Sequence, residues 1–121
     1  MKKIFAPSNL TGAPLSGAIE CNGLVFVSGQ IHLLNGKLSG ATIEEKFDLT
    51  INNVKKILEQ VELSLTDVIK VNIYLTDIND LPAINQIYSN YFQHPLPVRT
   101  AVAVAALPLQ ANLEIEVIAS K

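Results

Sequence analysis

A chain of 121 residues is the length of one domain, 1–121, and too short for two ordinary cores. Hydrophobic residues make up 49% of it and charged residues only 17%, against about 25% in an average soluble domain, so a surface this poor in charge is expected to self-associate. A net charge of −2, with one arginine (Arg99) among nine cationic residues, gives no general attraction for polyphosphate and disfavours sequence-independent nucleic-acid binding.

The basic start, Met1 to Phe5, runs at once into Pro7, Ser8, Asn9 and Gly12 instead of an apolar signal core, so export is not expected. Lys2 to Ala6 reads as a short strand, followed by a loop containing Pro7 and Pro14. Ala18 to Cys21 and Leu24 to Ser28 flank Asn22-Gly23, a dipeptide that suits the positive φ angles of a tight hairpin. Cys21 is the only cysteine, which excludes an internal disulfide and points to the reducing cytoplasm. Its place in a strand suggests a buried, inert thiol. Gly29, Asn35-Gly36 and Gly40 are expected to form an irregular connection.

From Ile43 to about Val61, the residues Ile43, Phe47, Ile51, Val54, Leu58 and Val61 recur at three- and four-residue spacing, which predicts an amphipathic helix. Thr42 and Glu45 have the spacing of a capping box at its start. Val68 to Leu75 is β-branched and alternating, a strand, and Asp77-Ile78-Asn79-Asp80 supplies turn and cap chemistry. Pro82 suits an early helical position, and Leu81, Ile84, Tyr88 and Tyr91 form a second helical stripe ending near Phe92, before Pro95 and Pro97. Two strands close the chain, Arg99 to Leu107 and Leu113 to Ala119. The order is βββαβαββ, an α+β fold with both helices on one face of the sheet. The other face would carry alanine and valine from Arg99 to Leu107 and is expected to seek a partner copy. No apolar run reaches the about 18 residues that a membrane helix needs.

Several chemistries lack their residues. No Walker A sequence, GxGxxG, HExxH, CxxC pair or GxSxG elbow occurs, and His32 and His94 lie far apart without a third ligand at metal spacing, so no metal site is expected. Asp77, Asn79 and Leu81 begin faintly like a calcium loop but lack its central glycine and final glutamate, and read better as a helix cap. Arg99 offers a planar fork matched to a small carboxylate, or is simply an exposed or ion-paired strand residue. Glu114 and Glu116 share one side of a strand with Ile118, opposite Leu113, Ile115, Val117 and Ala119. There a carboxylate partly removed from water could move protons, or could be only a solvated or inter-subunit charge.

Four ordered segments resemble the RidA/YjgF family, also labelled endoribonuclease L-PSP and translation-inhibitor proteins. They are Phe26-Val27-Ser28-Gly29-Gln30-Ile31, the helical Ile84 to Phe92 with Asn85, Tyr88 and Tyr91, Pro97-Val98-Arg99-Thr100 through Leu107-Pro108, and the final Leu113 to Ala119. The resemblance spans nearly the whole chain. It implies a chorismate-mutase-like fold assembled as a homotrimer with a barrel-like centre and clefts between subunits. It also implies cofactor-free hydrolysis of 2-aminoacrylate and related 2-imino acids to 2-keto acids and ammonia. Arg99 would then clamp the substrate carboxylate with backbone groups near Gly29 and Ala101, Glu114 would hold the attacking water, and Ser28 and Asn85 would shape the pocket. The chain departs from the family at Leu15, where a pocket tyrosine is usual, at Ala101, often cysteine, and at Ala103 and Ala106, often charged. Leu15 would make the pocket more apolar or weaken turnover. A non-catalytic keto-acid binder and an endoribonuclease are the competing readings, the latter opposed by the acidic balance and the lone arginine.

Overall fold

The computed structural model describes residues 3–7 and 13–121. Its strands are β1 (Lys3–Pro7), β2 (Ser16–Cys21), β3 (Leu24–Ile31), β4 (Leu33–Leu34), β5 (Lys37–Leu38), β6 (Val68–Leu75), β7 (Val98–Ala103) and β8 (Leu113–Ser120). The helices are α1 (Ile43–Glu59) and α2 (Leu81–Tyr88). Lys2, the expected start of the first strand, and residues 8–12 of the expected loop lie outside the described residues.

Six strands form one sheet in the order β1-β2-β3-β8-β6-β7, antiparallel except for the parallel edge pair β6·β7. Both helices cover one face, as expected. Phe47, Ile51, Val54 and Leu58 of α1 are fully buried with Val25 of β3, Val71, Ile73 and Leu75 of β6, and Leu113 and Ile115 of β8. Each such side chain contributes about 1.5–3 kcal/mol by leaving water. The strict alternation of β8 follows: Leu113, Ile115, Val117 and Ala119 go under the helices and Glu114, Glu116 and Ile118 go to the open face.

Local signals explain most boundaries. Asn22 (φ 54°) and Gly23 (φ 80°) make the expected hairpin turn. Asn35 (φ 53°) and Gly36 (φ 81°) make a second one, so the stretch expected to be irregular is a small separate hairpin, β4–β5. Thr42 accepts from the Glu45 amide at 3.1 Å, while the Glu45 carboxylate accepts from the Ala41 amide at 2.9 Å, one residue earlier than in a strict capping box. Helix α1 stops at Glu59, two residues short of the expected end. Helix α2 stops at Tyr88, and Tyr91 and Phe92 still pack inward from the turn that follows, which is why the apolar stripe ran past the helix. Strand β7 ends at Ala103 and not at Leu107, because β6, its only neighbour among the described residues, ends at Leu75; the last link is Val104 N–H to Leu75 O at 2.7 Å. Cys21 is half-buried instead of buried.

A polar cluster closes one end of the sheet. His32 is only 3% exposed, its Nδ1 donating to Ser39 O at 2.9 Å and its Nε2 accepting from the Asn112 amide at 3.1 Å. Asn112 in turn accepts from Lys46 Nζ at 2.6 Å. The ring must be neutral to accept at Nε2, and burial, the largest cause, holds its pKa below the ordinary 6.5. The unfolded chain therefore takes up a proton near pH 6.5 that the folded chain refuses, so this contribution to stability is complete above that pH and is lost as the pH falls below it. Thermal melts should fall in Tm from pH 7 to pH 5 more steeply for wild type than for His32→Gln, whose amide can keep one donor and one acceptor; equal slopes would show that His32 does not carry the effect.

Candidate active site

The expected site residues fall into two groups, one on each face of the sheet. On the open face the β3–β8 ladder skips between Val27 and Gln30, a bulge at Ser28 and Gly29. Ser28 Oγ donates to Ser16 O at 2.6 Å and so ties the start of β2 to the bulge, with Leu15 beside it. The Glu114 side chain lies on Gly29: a Cβ built there would sit 1.9 Å from Glu114 Oε2, so any other residue would collide with the carboxylate. Burial, followed by the neighbouring charge of Glu116, raises the Glu114 pKa above its ordinary 4.5. An open cavity of about 340 Å3 lies beside Ser28 on this face, lined by Leu15, Ser16, Ile19, Phe26, Ser28 and Glu116 but not by Glu114.

Across the ladder from the two glutamates stand Tyr74, opposite Glu114, and Asn72, opposite Glu116. Glu116 Oε1 accepts from Asn72 Nδ2 at 3.0 Å and from the Tyr74 hydroxyl. This open face is thus only partly the apolar surface expected. Val98 (65% exposed), Val102 and Phe26 supply the apolar share, while Ala101 and Ala103 lie in register with Ile73 and Leu75 on the helix side. Neither Asn72 nor Tyr74 was expected at the site, although their two-residue spacing in a strand of otherwise apolar alternation is the signal that could have found them.

The second group lies at the edge of the helix-covered face. Arg99 pairs with Val71, a core residue, and its Cζ sits 4.9 Å from the centroid of the Tyr88 ring. Tyr88 is stacked on Phe92 at 4.7 Å, and burial pushes its phenol up to about 12 although Arg99 opposes the shift. Arg99 is exposed but lies over the Tyr88 ring; such contacts are worth about 0.5–1 kcal/mol at exposed sites. Ala101 follows on the same side of β7, half-buried against the core. Asn85, exposed, lies three residues before Tyr88 on α2. Of the expected residues, then, Leu15, Ser28, Gly29 and Glu114 gather around the bulge, Arg99 and Ala101 share one side of β7 with Asn85 on the helix that carries Tyr88, and the two groups do not meet within one chain.

No three histidine, cysteine or acidic side chains converge as a metal site among the described residues, and none of their helices is long and apolar enough to cross a membrane.

Comparison with known proteins gives a consistent result. Residues 6–121 match the model of the family described as endoribonuclease L-PSP. The protein mmf2, mitochondrial, of Schizosaccharomyces pombe is 40% identical over 91% of this chain and 90% of its own. A Dermatophagoides farinae protein named 2-iminobutanoate/2-iminopropanoate deaminase is 36% identical over 85% of this chain and 82% of its own. The crystal structure of YEO7 from yeast superimposes with a TM-score of 0.93 at 40% identity, covering 100% of this chain and 99% of that one. The name of the fission-yeast relative places that protein in the mitochondrion, a compartment other than the cytoplasm expected here from sequence. With the two-helix, mixed-sheet fold and the four sequence segments in agreement, the chain belongs to the endoribonuclease L-PSP family, the group that includes the RidA-type reactive-intermediate deaminases.

Proposed function

We propose that the chain is a hydrolytic deaminase of small 2-imino acids and their enamine tautomers, working without a cofactor at clefts between the subunits of a homotrimer. The observation that carries this reading is the Glu114 carboxylate laid on the side-chain-free Gly29, partly withdrawn from water and with a raised pKa. A carboxylate of this kind can take a proton from water and return it to an amine. The exposed Arg99, held over the Tyr88 ring, is the complementary anchor for a substrate carboxylate. Because the two lie on opposite faces, one small acid can touch both only if they come from different copies. The apolar share of the open face, Phe26, Val98 and Val102, gives those copies a surface to bury. The deaminase name of the Dermatophagoides farinae relative supports the same chemistry.

The reaction needs little beyond positioning. An iminium carbon is already electrophilic; water attacks it while Glu114 takes the water proton, giving a carbinolamine. Glu114 then protonates the nitrogen, ammonia leaves as the carbonyl forms, and the last hydroxyl proton goes to ammonia, so that iminium and water yield ketone and ammonium. Held reactants and one proton carrier account for accelerations of this class without metal chemistry. Freshly purified protein should speed keto-acid formation from 2-aminoacrylate or 2-iminobutyrate generated in situ by a pyridoxal-phosphate enzyme. Arg99→Ala should lower kcat/KM by about 100-fold or more. Keto-acid binding to Arg99 without any acceleration by wild type would replace the deaminase with a carboxylate binder, the reading that the apolar Leu15 favours.

A further inference from the structure

Glu116 does not reach Gly29, yet it is the more firmly held of the two glutamates. Its Oε1 accepts from Asn72 Nδ2 at 3.0 Å and from the Tyr74 hydroxyl, both on the neighbouring strand β6. Tyr74 stands opposite Glu114 in the ladder, so its hydroxyl reaches diagonally to Glu116. Bonding to Glu116 is also the main reason that the Tyr74 phenol is pushed above its ordinary 10.0, which keeps it a donor. We propose that Glu116, gripped by Asn72 and Tyr74, is a positioning residue for imine hydrolysis: its fixed charge, two positions along the same strand face, makes Glu114 a stronger acceptor for the proton of the attacking water.

The inference rests on the deaminase reading and deepens it. Among the described residues, the groups facing Glu114 are few. Glu116 faces it from β8 and Tyr74 from β6, while β3 presents the uncharged Ile31 directly opposite and Gly29, which has no side chain. The cation of this face, Lys70, lies beyond Asn72 and lines a separate cavity of about 140 Å3 with Glu116, Phe26 and Ile118. No ion pair to Lys or Arg occupies either glutamate among the described residues, so the repulsion between them is not cancelled. Repulsion of this kind favours the protonated form of the less firmly solvated partner, Glu114, and brings its proton affinity closer to that of a carbinolamine nitrogen. The proton cycle itself is unchanged: from water to Glu114, then from Glu114 to the departing nitrogen.

The full-length protein serves for the test, with 13C-carboxyl NMR titration of Glu114 beside the pH profile of kcat/KM. Glu116→Gln should shift the Glu114 midpoint down toward the ordinary carboxylate range, and the acid limb of kcat/KM should move by the same amount. The plateau rate should fall several-fold, because the base is weaker. Glu116→Asp, which keeps the charge, should retain most of the wild-type midpoint. Glu116→Met offers a second uncharged side chain of similar length should the glutamine variant fail to fold. An active wild type whose Glu114 midpoint and acid limb are the same with and without the Glu116 charge overturns the inference. A wild type with no imine hydrolysis at all overturns the deaminase reading instead.

Discussion

Co-expressing Arg99→Ala and Glu114→Gln chains under two different tags, and isolating the mixed oligomers, is expected to regenerate imine hydrolysis that neither variant shows alone. The geometry is the reason. Arg99 pairs with Val71 on the helix-covered face, whereas Glu114 pairs with Tyr74 on the open face. They are separated by two strand spacings and about three residues along the strands, roughly 10 Å in each direction, with the sheet itself between their side chains. A site within one chain would lack one of the two in every mixed oligomer. In a cyclic trimer with head-to-tail interfaces, any mixture of the two chains has one interface that combines an intact Arg99 with an intact Glu114, so roughly a third of the wild-type rate should return. Each variant alone should lose about 100-fold or more. Mixed trimers as inactive as the parents would place both residues in one protomer's site, or neither in any, and the proposed cleft would fail.

The sequence carried the frame of this arrangement but not the division of its residues between faces. Strand β8 was legible down to the side of each residue, because Leu113, Ile115, Val117 and Ala119 alternate with Glu114 and Glu116, and period two admits only one assignment. Helix α1 was equally legible from its 3.6-residue stripe and from Thr42 at its cap. The faces of β7 were not. Val98 through Ala103 carries one polar residue on each side, Arg99 and Thr100, among small apolar ones, so nothing in the pattern says that Arg99 lies in register with the core residue Val71 and Val102 with Tyr74. That register is a tertiary fact, set by a parallel pairing with a strand some thirty positions earlier in the chain. The same holds for the end of β7, which is fixed by where β6 stops. The bulge at Ser28 and Gly29 lay in a motif recognised by resemblance, yet the physical need for glycine there comes from a carboxylate 85 residues further along the chain.

That need yields the sharpest single-residue expectation. Gly29 is not held at a positive φ, so the backbone would accept alanine; the obstacle is one side chain, with Glu114 Oε2 at 1.9 Å and Cδ at 2.8 Å from the new Cβ. The carboxylate is the far end of a flexible side chain and can swing away, so Gly29→Ala should cost little stability and shift Tm by no more than a few degrees. It cannot swing away and still hold the water in the same place. A displacement of about 1 Å at a proton acceptor costs on the order of 100-fold in rate, and kcat should fall by about that much with KM nearly unchanged. In a Glu114→Gln background, where the proton acceptor is already gone, adding Gly29→Ala should change kcat by less than about two-fold, the non-additivity expected of residues acting as a unit. Wild-type kcat in Gly29→Ala, or a full additional loss in the double variant, would mean that the contact between Gly29 and Glu114 does not position the catalytic carboxylate.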